Sequence, residues 1–100
     1  MKRQATKDRS AHVFKCAVKL MERHGYTRVS RSAIAESAEC SPALVNVYFG
    51  TMGKLRAEVL RHAVRESNLT LLAQGIVARH RVALAAPAAL KARAIQSLSD

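Results

Sequence analysis

Between residues 11 and 24 the apolar positions Val13, Phe14, Ala17, Val18, Leu20 and Met21 return at steps of three and four, with Lys15, Lys19 and Arg23 opposite them. That period belongs to a helix with one dry face and one wet face. Ser10 or Asp8 offers an acceptor to the free amides of a first turn, and Gly25 suits the left-handed residue just past an end, so a helix is predicted over 11–24. A narrower stripe, Ile34, Ala35 and Ala38, follows the capping hydroxyl of Ser30 and predicts a second helix of about two turns. Ser41-Pro42 repeats the start signal, with proline at the first helical position, and opens a third helix that runs to Phe49. Gly50 breaks it and Thr51 caps a fourth, whose core stripe is Leu55, Val59, Leu60, Ala63 and Val64 up to Glu66. Ser67 and Asn68 form a weak boundary. Leu69, Leu72, Ala73 and Ile76 then continue the period, with Gly75 as a soft spot, and Pro87 opens a last helix carrying Leu90, Ala94, Ile95 and Leu98.

Composition agrees with an all-α chain. A hydrophobic share of 49% is enough for one core, while four aromatics, no Trp and two Pro argue against a β-sandwich. One hundred residues make a single domain the expectation. Seventeen Lys and Arg against seven Asp and Glu leave a net charge of +10, which points to a polyanionic partner. The placement says more than the total: +7 falls on residues 1–31, −2 on 32–53, +2 on 54–66 and +3 on 67–100. Residues 1–10, with Lys2, Arg3, Lys7 and Arg9, read as a flexible basic arm rather than a signal peptide, since no apolar run follows them. The most apolar stretch, 82–90, contains Pro87 and is far shorter than the ~20 residues of a membrane span. A soluble, cytoplasmic protein without membrane association is expected.

Candidate chemistry is sparse. Cys16 and Cys40 are isolated, as in a reducing compartment. His12 and Cys16 share a helix face four residues apart, yet no third or fourth ligand accompanies them, so no metal is expected. No nucleophile–base set, carboxylate pair or glycine-rich phosphate loop stands at a useful spacing. Neither an enzyme nor a cofactor is expected.

Two short helices joined by a tight corner at Glu39, Cys40 and Ser41, buttressed by the first helix and followed by a fourth, match a helix-turn-helix unit whose second member reads DNA. From residue 11 to about residue 60 the chain resembles the tetracycline-repressor (TetR) family of bacterial transcription regulators. The resemblance rests on Val13-Phe14, Cys16-Ala17, Leu20-Met21 and Gly25-Tyr26 in the first helix, Ser30 ahead of Ile34-Ala35, Ser41 opening the reading helix, Tyr48-Phe49 closing it, and Thr51 with Leu55 after it. It implies a TetR-like three-helix DNA-binding domain over 11–66, followed by two or three short helices for dimerisation over 67–100. Departures are Glu39 and Ala43 for frequent glycines, Asn46 for a phosphate-binding tyrosine and Met52 for a lysine. Lys54, in the first turn of the fourth helix, is the expected substitute for the lost charge. The family also carries a large ligand-binding domain, for which about 35 residues leave no room. The length therefore reads as a truncated relative with no small-molecule inducer.

On the third helix Val45 and Phe49 are four apart and fit the core, which turns Pro42, Ala43, Leu44, Asn46, Val47 and Tyr48 toward the major groove. Asn46 suits bidentate pairing with adenine, and Leu44 or Ala43 suits a thymine methyl. The absence of Lys and Arg from 32–53 then leaves base reading to uncharged groups and backbone attraction to the charge around them. Arg31, Ser32 and Arg28, with Ser41, Thr51 and Lys54, complete the expected double-stranded DNA surface, Tyr48 taking a phosphate as the resemblance implies. A two-fold dimer would bury Leu69, Leu72, Ile76, Leu90, Ile95 and Leu98, with His80 as an interface or core histidine. A homodimeric repressor on a palindromic operator is the expectation. The competing expectation is a basic helical interaction module that docks on an acidic protein partner or an anionic surface through its C-terminal helices.

Overall fold

In a computed structural model, residues 6–99 are described, with their side chains from Asp8 onward. They form α1 (Thr6–His24), α2 (Arg31–Ala38), α3 (Pro42–Phe49), α4 (Met52–Glu66), α5 (Leu69–Val77), α6 (Arg81–Leu84) and α7 (Ala88–Ser99). No strand occurs among the described residues, so the chain is all-α.

Local signals set most of the boundaries. Ser30 Oγ accepts from the amide of Ala33 at 3.1 Å, Ser41 Oγ from Leu44 at 3.2 Å and Thr51 Oγ1 from Lys54 at 3.2 Å. Each cap satisfies an amide that its helix leaves open, a contribution of about 1 kcal/mol. Gly25 ends α1 at a φ of +102°. The residue 67–68 boundary is stronger than its sequence suggests. Ser67 takes a left-handed conformation at the end of α4, and Asn68 Oδ1 caps α5 by accepting from Leu71 at 3.1 Å.

The start of α1 differs from expectation. The helix begins at Thr6 rather than near residue 11, so Asp8 and Ser10 lie inside it and do not cap it. Asp8 in the first turn favours the longer helix, because its carboxylate faces the positive end of the backbone dipole. The arm expected over 1–10 is thus helical from residue 6, and it holds Arg9 on a rigid element. Lys2, Arg3 and the side chain of Lys7 lie outside the described residues.

Two hydrophobic cores follow one another. The first joins Val13, Ala17 and Met21 of α1 to Ile34, Val45, Leu55, Leu60 and, from α5, Leu71. The second joins Leu72 and Ala73 of α5 to Ala83, Ala86, Leu90 and Ala94. Helix α5 is the wall they share. Gly75 is a packing site rather than a soft spot: a Cβ there would lie 2.7 Å from Ala83 Cβ and 3.0 Å from Leu60 Cδ2.

This arrangement uses part of the expected dimer surface within the chain. Leu72 and Leu90 are buried within the single chain, and Leu69 and Ile76 pack half-buried against the same core. A side chain already removed from water has no area left to bury against a second copy. Ile95 and Leu98 remain 51% and 58% exposed.

Candidate nucleic-acid interface

Helix α2, the corner and α3 form the helix-turn-helix pair. Glu39 makes the corner by taking a left-handed conformation, φ 59°, which lets the Cys40 amide donate back to Ala35 O at 2.9 Å. Val45 is buried and Phe49 packs on the core, so α3 turns its opposite side outward. Pro42, Ala43, Asn46 and Val47 are exposed there, Val47 at 73%. No charged side chain stands on α3. Its outer surface offers one amide and several apolar groups, the chemistry that meets adenine edges and thymine methyls.

Leu44 and Tyr48 flank that surface and are half-buried. Leu44 lines a cleft of about 300 Å³ with Arg9, His12 and Cys40, so it leans toward α1 as well as outward. Tyr48 meets Phe49 edge-on, with ring centroids 6.1 Å apart, and lines a larger cleft with Thr51 and Lys54. Ser32, Ser41, Thr51 and Lys54 are exposed. Arg31 opens α2 and is half-buried; its Nε is buried without a hydrogen-bond partner. Arg28 is not brought together with α3. It covers Gly25 and shares a cleft of about 360 Å³ with Val77 and Leu98, on the side where α7 ends.

Arg9, expected on a flexible arm, is instead held beside the site by the early start of α1. Two cations, Arg61 and Arg81, escaped the sequence reading of this surface. Arg61 of α4 and Arg81 of α6 line the same cleft of about 690 Å³ as Tyr48, Thr51 and Lys54. Arg61 has a local signal, since it lies two turns after Lys54 on one face of α4. Arg81 has none, because only the tertiary fold brings α6 beside α4.

The C-terminal helices are tied to the site through the loop before α2. The Tyr26 amide donates to Gln74 Oε1 at 2.7 Å, and Gln74 Nε2 donates to Met21 O at 3.1 Å. Asn68 Nδ2 donates to the Glu22 carboxylate. His80 meets the Tyr26 ring edge-on, with centroids 6.0 Å apart, and its Nδ1 accepts from the Val82 amide at 3.1 Å, capping α6. His80 is thus engaged inside the chain. Burial, then Arg81 and Arg61, hold its pKa below the ordinary 6.5. Burial likewise pushes the Tyr26 phenol above 10.0, against a smaller opposing pull from Arg56.

His12 Nε2 and Cys16 Sγ are 3.8 Å apart, as their spacing predicts. No group of three or more His, Cys, Asp or Glu is placed to hold a metal among the described residues. No described helix is long and apolar enough to cross a membrane.

The sequence model for bacterial regulatory proteins of the tetR family matches residues 13–59. The chain carries a TetR-family DNA-binding domain. The matched span runs from α1 into the middle of α4 and contains the whole helix-turn-helix pair. No curated protein and no solved structure matches the chain.

Proposed function

We propose that this TetR-family chain is a homodimeric repressor that occupies a palindromic operator, with no small-molecule inducer. The observation that carries the reading is the division of labour on the surface. An uncharged α3 projects Asn46 and Val47, while Lys54, Arg31 and Arg9 stand around it on α4, α2 and α1. Base reading falls to Asn46, Val47, Ala43 and Pro42, with Leu44 at their edge; phosphate anchoring falls to Lys54, Arg31, Ser32, Tyr48 and the amides capped by Thr51. Two copies related by a two-fold axis would set their α3 helices in successive major grooves, about 34–36 Å apart.

Fluorescence anisotropy tests the reading. At about 150 mM salt the protein should prefer a palindromic duplex from its own promoter region over random DNA, in the range of about 10³-fold or more. Equal affinity for both would defeat it. Asn46→Ala should cost about tenfold or more at a single base step and relax preference there alone. Lys54→Ala should instead weaken every sequence alike and lower the salt slope by about 1. Uniform losses from both substitutions would refute the division of labour.

A further inference from the structure

We infer that the cleft between α3, α4 and α6 is a second phosphate site, which takes the backbone of duplex DNA flanking the half-site; this rests on the DNA-reading function proposed above. The cleft holds about 690 Å³ and is lined at one end by Tyr48 and Thr51, beside the reading helix. Lys54, Arg61 and Arg81 supply three cations to it, against the single carboxylate of Glu58. Lys54 and Arg61 are seven residues apart on one continuous helix, so they share a face and stand about 10 Å apart along it. Arg81 comes from α6 and is exposed in the first turn that His80 caps.

Charge decides what this cleft accepts. Glu58 already accepts from Arg61 Nη1 at 2.7 Å, and both side chains remain about half exposed, so most of the five guanidinium donors of Arg61 are open. A cleft with that surplus of positive charge favours a polyanion, whose condensed counter-ions its cations displace. Each DNA strand presents a phosphate about every 3.4 Å along the axis, so a strand anchored at Lys54 offers further phosphates within about 10 Å. A free phosphate ester carries the same chemistry, and the two sources separate in one experiment.

The full chain is titrated with two operator duplexes, one ending at the half-site edge and one extended by about six base pairs. Arg81→Ala should weaken the long duplex roughly three- to tenfold, lower its salt slope by about 0.9 and leave the short duplex unchanged. Lys54→Ala should weaken both. Glu58→Gln should strengthen the long duplex, because it removes the one negative charge facing the strand. Equal effects of Arg81→Ala on the two duplexes, or none on the long one, would overturn the inference while leaving the DNA-reading function intact. Binding of inorganic pyrophosphate that Arg81→Ala abolishes, with long-duplex affinity unchanged, would also overturn it by assigning the cleft to a free phosphate. Wild-type protein that binds neither duplex would overturn the DNA-reading function itself, and the inference with it.

Discussion

The tightest corner of the reading unit is made by a residue poorly suited to it. Glu39 holds φ at 59° with an exposed side chain, and a left-handed backbone costs an L-residue about 1–2 kcal/mol that glycine avoids. Part of that gain returns as the extra freedom of glycine in the unfolded chain. Glu39→Gly should therefore stabilise the protein by about 0.5–1 kcal/mol, seen as a higher urea midpoint at unchanged slope. A lower midpoint would show that the carboxylate does something for the corner that its exposure does not reveal. His80 gives a second test, through pH. Its neutral Nδ1 accepts from Val82, and burial, Arg81 and Arg61 oppose the charged ring. The unfolded chain then binds the proton more readily, so stability present above the ordinary value of 6.5 is lost as pH falls through the lower folded value. His80→Asn keeps a capping acceptor and removes the titration. Its melting temperature relative to wild type should rise as pH drops from about 7.5 to about 5, and parallel curves would exclude His80 as the cause.

At the scale of elements, what could be read in advance was what acts within one turn. Ser30, Ser41-Pro42 and Thr51 each cap a helix through an amide three residues ahead, so three starts were legible from spacing alone. The outward turn of Asn46 and Val47 was legible for a similar reason, since burying Val45 and packing Phe49 fixes the rest of a short helix. Two kinds of feature were not. Ser10 and Asp8 are good caps and also tolerable helix residues, and the dipole decided for the longer α1. Gly75 and Arg81 derive their meaning from neighbours far along the chain. Gly75 lets α4, α5 and α6 meet: its missing Cβ would sit 2.7 Å from Ala83 Cβ, and that atom is fixed to backbone. Gly75→Ala gains about 1 kcal/mol of helix propensity but forces two helices apart, which costs about 1–3 kcal/mol in a well-packed core. Overpacking should win, with net destabilisation of about 1–2 kcal/mol by urea unfolding. A stabilised variant would mean that α6 yields easily.

For the whole molecule the question is what the C-terminal third leaves uncovered once its own core is built. Leu72, Leu90 and Ala94 face inward, yet Val77, Leu84, Ile95 and Leu98 stay between 42% and 69% exposed. Charge does not surround them evenly, because only Lys91 and Arg93 are ionised on α7. A stable dimer covers about 800 Å² on each partner. Against a chain surface of 6401 Å² that is a modest share, and the exposed end of α7 can seed it. A two-fold dimer of this kind would also match the symmetry of a palindromic site. The double substitution Ile95→Glu and Leu98→Glu adds charge at two exposed positions and leaves both cores untouched, so the fold should survive. Light scattering after size exclusion should report twice the 10.9 kDa chain mass for wild type and one chain mass for the variant. Affinity for a full palindrome should then fall toward that for a single half-site, while half-site affinity stays constant. If the variant remains a dimer, the two-fold contact lies elsewhere, and the spacing of the half-sites must be derived from that other surface.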